Sequence, residues 1–249
     1  MTRIKAALTH LLISALLAGI VICLIVFGWY PTPFFWALGG PMLLALIVGI
    51  DVVLGPLMTM ILFNPKKSRR ELTLDLTLIG IIQLSALGYG LYSGYVGRMV
   101  YGVFSEKAFH LVEASEIAPD FLKQAPYPEF QTLPFAGYLI IGTQIPDTDK
   151  ARDDLAFFKQ LGVGPQHLPQ FHAPLAMNRQ QIVEAAIPQT TLQQKHSALA
   201  EEIQQQLERH QLRWNDVAIL PFETPAATYT AILNLQNMTM VKVLRATPR

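Results

Sequence analysis

Residues 36–63 read WALGGPMLLALIVGIDVVLGPLMTMILF, an apolar run with a single charged side chain, Asp51. A helix needs roughly 20 mostly apolar residues to cross the hydrocarbon core of a bilayer, so this stretch is long enough to span it. An acid near the middle of a span costs about 2.5–3.5 kcal/mol on insertion scales, which requires Asp51 to face protein or water and to have a partner. Thr59, Gln83 and Ser85 are candidate hydrogen-bonding partners within the apolar segments. Pro56 removes the donor that would bond the carbonyl of Val52, and its ring crowds that carbonyl, so the helix is expected to bend there. Gly49, Gly55 and Pro56 thin the helix around the acid, as small residues do where helices meet at close range in membranes.

Two further apolar runs flank this one, at residues 6–29 and 72–95. The first holds His10 and Cys23 and follows the basic start Arg3, Lys5. It exceeds the roughly 7–15 apolar residues of a signal peptide and lacks a small-x-small cleavage site, so it is read as an uncleaved anchor. The third run carries Asp75 near its start, where the helix dipole favours a negative charge. Between the second and third runs lies Asn64-Pro65-Lys66-Lys67-Ser68-Arg69-Arg70-Glu71. Cations collect on the cytoplasmic side of spans, so Arg3, Lys5, Lys66, Lys67, Arg69 and Arg70 are expected inside, with the chain beyond the third span outside. In a Gram-negative cell this makes a multi-pass inner-membrane protein with a periplasmic C-terminal domain. Lys66, Lys67, Arg69 and Arg70 also suit contact with anionic lipid headgroups.

Over all 249 residues the chain is 51% hydrophobic and 15% charged, against about 25% charged in an ordinary soluble domain. This excludes a disordered or nucleic-acid-binding chain. The predicted organisation is a membrane domain over residues 1–98 and an α+β extracytoplasmic domain over residues 99–249. Short β-rich runs at 99–105, 109–113, 138–145 and 217–220, and a hairpin of 228–235 with 238–244 turning at Gln236-Asn237, supply the strands. Helical periodicity marks 149–161, closed by Gly162, and 190–211, where Leu192, Leu199, Ile203 and Leu207 share a face.

Chemistry-bearing patterns in the second region are weak. A lone Cys permits neither a disulfide framework nor a Cys-based zinc site. His167 and His172 stand five apart in a Pro-rich loop without a third ligand at metal-site spacing. Neither a nucleophile elbow nor a phosphate-binding loop occurs, so no enzyme, cofactor or metal is expected.

The run from Gly49 through Asp51, Gly55, Pro56 and Thr59, followed by the basic loop 64–71, Asp75 and Gln83-Leu84-Ser85-Ala86-Leu87, resembles the type IV pilin accessory proteins of the TfpX/TfpZ family. The resemblance covers the three spans and fades beyond residue 117. It implies a non-enzymatic inner-membrane protein that assists pilin stability or pilus assembly in a chaperone-like way. Asp51, Gly55, Pro56 and Thr59 are then the candidate docking face for a pilin helix, with the type IV pilin subunit, membrane lipids and other pilus assembly proteins as partners. Two rival readings remain open at this stage. One is a membrane-anchored sensor with a periplasmic ligand-binding domain; the other is a transporter subunit using Asp51 as a proton carrier.

Overall fold

The computed structural model describes residues 2–246; residue 1 and residues 247–249, at the ends of the two predicted regions, lie outside them. The chain separates into two compact units, Met1–Arg98 and Met99–Arg249.

Three helices of the first unit are long and apolar enough to cross a membrane: Arg3–Trp29, Gly40–Leu62 and Arg69–Val96. The first comprises α1 (Arg3–Cys23), capped by the Thr2 hydroxyl, which accepts from the Lys5 amide, and a π-helical end at Leu24–Trp29. The second begins at Gly40, four residues after the expected start. Gly39 takes φ +70° and Pro41 sits in the first turn, so residues 36–39 form a turn before the helix. It runs as α2 (Gly40–Ile47), a π-helical stretch Val48–Leu54 and α3 (Gly55–Leu62). Where a bend was expected at Pro56, the turn before it is widened, with the Gly55 amide bonded to the Ile50 carbonyl. Such wide turns relieve the clash between a proline ring and the preceding turn.

The third span, α4 (Arg69–Val96), opens with a capping box: Ser68 Oγ accepts from the Glu71 amide, and the Glu71 carboxylate accepts from the Ser68 amide. A Cβ on Gly90 would lie 3.0 Å from Ile47 Cγ1, and one on Gly94 would lie 3.2 Å from Leu43 Cδ2. These glycines let α4 approach α2 closely. Ala18, Val21, Ile25, Trp29, Tyr30 and Ile47 form the apolar centre of the unit.

The second unit is built on one seven-stranded mixed sheet, with strand order β4-β3-β1-β2-β5-β6-β7. Strand β1 (Met99–Ser105) is buried along its whole length and forms a hairpin with β2 (Ala108–Glu113). Helix α5 (Pro119–Leu122) precedes β3 (Leu139–Thr143), which lies parallel to β1. Helix α6 (Asp149–Gln160), capped by Thr148 and followed by Gly162 at φ +78°, leads to the short β4 (His172–Ala173). Helices α7 (Arg179–Ala185), α8 (Gln189–Lys195) and α9 (Ser197–Arg209) come next. The meander β5 (Val217–Glu223), β6 (Thr228–Asn234) and β7 (Thr239–Leu244) completes the sheet, with β5 parallel to β2.

Two expectations change here. The α+β reading becomes an α/β domain with a mixed sheet, because β1 with β3 and β2 with β5 are parallel neighbours joined by helix-containing crossovers. The helix expected over 190–211 is two helices, interrupted at His196, whose φ of −141° leaves the helical region. Both halves still bury apolar faces, since Leu192, Leu199, Ile203 and Leu207 join Val217, Ile219 and Ile232 in one cluster.

Asn178 fastens the end of β3. It is 1% exposed, and its Nδ2 donates to the Thr143 carbonyl at 2.8 Å. A Cβ on Gly142 would sit 1.8 Å from Asn178 Oδ1. Gly142→Ala therefore expels the amide and is expected to destabilise the second unit by about 2–4 kcal/mol, measured by pulse proteolysis in urea on the full chain. Wild-type resistance in that variant would show that Asn178 bears no such load.

Candidate functional site

The membrane-type unit contains a buried polar cluster assembled from all three spans. Ser14 from α1, Asp51 from the π-helical stretch, Thr59 from α3 and Gln83 from α4 are each less than 10% exposed. His10 of α1 joins them: Nδ1 lies 2.5 Å from Thr59 Oγ1 and Nε2 lies 2.7 Å from Gln83 Oε1. The Gln83 amide donates through Nε2 to the Asp51 backbone carbonyl at 2.9 Å and to Ser14 Oγ at 3.4 Å.

These contacts fix the direction of the bond between His10 and Gln83. Because Gln83 Nε2 is the donor, Oε1 is the acceptor, and His10 must carry its proton on Nε2. The other ring nitrogen, Nδ1, shares a hydrogen bond with the Thr59 hydroxyl, so the His10 ring holds α3 and α4 to α1 through one network. In hydrocarbon no water replaces such bonds, so they also specify which faces of the helices meet.

The expected pairing of the Asp51 side chain with Thr59, Gln83 or Ser85 is replaced by a different arrangement. Gln83 reaches the Asp51 main chain, Thr59 reaches His10, and Ser85 is exposed. Asp51 is 5% exposed, and its buried Oδ2 has no hydrogen-bond partner among the described residues.

Gly55, Pro56 and Thr59, named above with Asp51 as the candidate docking face, are buried. A Cβ on Gly55 would lie 2.1 Å from Gln83 Nε2, so the thinned surface receives Gln83 of α4. Val53, Leu57, Met60 and Ile61 form the exposed side of this helix. What stays open beside the acid is a cleft of about 150 Å³, with residues of α1 and α4 on its walls and Asp51, Ser14 and Gln83 buried at its floor. His10 and the apolar cleft were missed from sequence; the usable signal was His10-x-x-x-Ser14, which puts two polar groups on one helix face.

In the basic loop, Lys67 Nζ is paired with Asp75 Oδ2 at 2.6 Å, whereas Lys66, Arg69 and Arg70 are exposed. Lys67 is thus partly engaged in fixing the start of α4.

The second unit has a cleft of about 450 Å³ lined by Ser105, Glu106, Lys107, Thr143 and Glu184. It lies at the carboxyl ends of the parallel pair β1 and β3, a customary ligand position in α/β sheets. Glu106 is already paired there with Lys159.

His110, His167 and His172 stand around β1 and β2. His110 Nε2 donates to the Ser105 carbonyl at 3.1 Å, and His172 Nε2 donates to the Gln166 carbonyl at 2.9 Å. Burial pushes the His172 imidazole down to about 4. Burial, reinforced by Glu116, pushes the Glu113 carboxyl up to about 7. Among the described residues no group of three or more His, Cys, Asp or Glu is placed to hold a metal ion.

Fold and cluster together define a class of protein: a bundle of three membrane-length helices, internally tied by polar side chains, carrying a separate α/β domain. The particular family follows from comparison with known proteins. Residues 1–39 match the family of the fimbrial assembly protein FimB. The chain is 43% identical over 116 residues to the fimbrial assembly protein of serogroups C1 and C2 of Dichelobacter nodosus, covering 47% of this chain and 88% of that relative. It is 41% identical over 135 residues to the serogroup I protein of the same organism, covering 54% of this chain and 52% of that relative. The serogroup E1 protein matches to the same extent. The chain belongs to the fimbrial assembly protein family. It matches about half the length of the serogroup I and E1 relatives. No solved structure matches it.

Proposed function

We propose that this protein is an accessory factor of fimbrial assembly, of the TfpX/TfpZ kind, which sits in the cytoplasmic membrane and binds a type IV pilin subunit before its incorporation. It acts by holding the subunit, as a chaperone does, and catalyses no reaction. The observation that carries this reading is the chain's membership of a family whose relatives are named fimbrial assembly proteins. Geometry supports it, because the cleft beside Asp51 offers a membrane-depth contact surface and the second unit offers a separate one.

The basic residues Lys66, Arg69 and Arg70 orient the bundle with its amino terminus in the cytoplasm and touch anionic headgroups there, which sends residues 99–249 to the periplasm. Asp51 serves capture of the subunit, whereas Gly55, Pro56 and Thr59 shape the bundle that presents it.

Deleting this chain is expected to lower both pilin level and surface pili. Asp51→Asn, with its own accumulation unchanged, is expected to co-purify pilin about fivefold less well in detergent, about 1 kcal/mol of binding. Normal pilin level and piliation in the deletion strain would overturn the reading. Equal capture by Asp51→Asn would remove Asp51 from it.

A further inference from the structure

The cleft in the first unit has a chemistry that restricts what fills it. Asp51 lies at the centre of the span Gly40–Leu62, with residues 40–50 on one side and 52–62 on the other. That places it roughly 16 Å of helix from either end, beyond the reach of a soluble ligand or a headgroup. The carboxylate oxygen without a partner, Oδ2, belongs to a side chain 95% buried that lines this cleft. The Gln83 amide, the His10 ring and the Thr59 hydroxyl are already engaged with one another and with the Asp51 main chain within the cluster.

The walls are apolar, formed by Ile13, Leu17 and Ala18 of α1 and by Gly80, Leu84 and Leu87 of α4. Ile13, Leu17 and Leu84 are 46–66% exposed, so the rim faces whatever surrounds the bundle. A Cβ on Gly80 would meet no atom within 4 Å, which leaves that part of the rim open. An acyl chain matches the walls but leaves Oδ2 unsatisfied. A polar group that leaves bulk water alone matches the floor but not the walls. An apolar helix carrying one short polar side chain matches both.

We infer that the cleft between the first and third spans is the seat of a partner's transmembrane helix, which places a hydroxyl or amide side chain against Asp51 Oδ2 at mid-membrane depth. Such a group both donates and accepts, so it satisfies the carboxyl in either protonation state. The inference rests on the pilin reading above and assigns the helix to the pilin subunit. It moves the docking surface from the proline face of the second span to the groove formed with α1 and α4.

The test uses the full-length protein co-expressed with pilin. Gly80→Phe fills the rim without touching the polar network and is expected to cut co-purified pilin about tenfold at unchanged accumulation and melting temperature. A photo-crosslinking residue at Leu84 is expected to capture pilin. The same residue at Leu78, two positions and about 200° around the helix from Gly80, is expected not to. Undiminished capture by Gly80→Phe overturns the inference while leaving the pilin reading intact. A Leu84 adduct with a second copy of this chain, or with lipid alone, does the same. Failure of the wild-type protein to capture pilin overturns the pilin reading and the inference with it.

Discussion

Gly55→Ala is expected to lower the melting temperature of the detergent-solubilised protein sharply and to reduce its steady-state level in the membrane, whereas Gly49→Ala is expected to leave both unchanged or slightly raised. The two substitutions are chemically identical and lie in the same span. Each gains up to about 1 kcal/mol of helix propensity. They differ in what the new methyl meets. At Gly49 no atom lies within 4 Å, while at Gly55 the Cβ would stand 2.1 Å from Gln83 Nε2 and 2.5 Å from Gln83 Cδ.

The amide of Gln83 must therefore leave, and it cannot move without breaking its bonds to the Asp51 carbonyl, Ser14 and His10 together. Interhelical hydrogen bonds in membrane proteins average about 0.6 kcal/mol and reach about 2, so losing three costs about 2–5 kcal/mol. That outweighs the propensity gain. Heating followed by size-exclusion chromatography reads the difference directly. Equal melting of the two variants would mean that the cluster does not hold the bundle together.

This cluster also shows how much a sequence of this kind discloses. The three spans, the buried acid and an irregular helix near Pro56 follow from runs of apolar residues, one charge and one imino acid, all local features, whereas the form of the irregularity, a widened turn, does not. The partner of the acid is a matter of which residues 30 to 70 positions apart share a depth and a face. Gln83 was therefore a candidate by composition, but its use of the Asp51 main chain was not legible. The Ser68-x-x-Glu71 spacing does carry a readable capping signal, and it moves the start of the third span to Arg69.

In the second unit, Leu192 and Leu199 are seven residues apart and fall on one face of an uninterrupted helix. The break at His196 was thus invisible to periodicity. The parallel pairing of β1 with β3 joins strands between which the chain makes β2, a short helix and a long irregular stretch. Its one sequence trace is that MVYGVFS is apolar almost without alternation, as strands covered on both faces are. Gly142 and Asn178 give no trace at all, since their contact depends on the close approach of two distant segments.

Replacing His172 with Phe is expected to flatten the second unit's loss of stability on acidification. The imidazole of His172 is fully buried against the Tyr101 and Phe130 rings, with centroids at 5.3 and 6.5 Å, and burial holds it down to about 4 against an ordinary 6.5. Between those values the unfolded chain binds a proton that the native domain refuses. Its contribution is complete above pH 6.5 and is lost as pH falls toward 4, by about 3 kcal/mol at most.

Glu113 acts in the opposite sense. Burial and the neighbouring Glu116 raise its carboxyl to about 7 from 4.5, so its contribution is complete below pH 4.5 and is lost as pH rises toward 7. Glu113 is only partly buried, so its effect is the smaller of the two. The wild-type domain should therefore lose stability only gently on acidification, because one titration offsets most of the other. Glu113→Gln removes the offset and should steepen the loss toward pH 4.5. His172→Phe keeps an aromatic ring in the same place but removes its titration, leaving the loss between pH 7 and pH 4.5 shallower than in the wild type, with partly buried His167, also pushed down, supplying what remains. Pulse proteolysis of the full-length protein in urea, read on fragments from residues 99–249, distinguishes the three slopes. An acid slope unchanged in His172→Phe would show that a group other than His172 governs the acid limb.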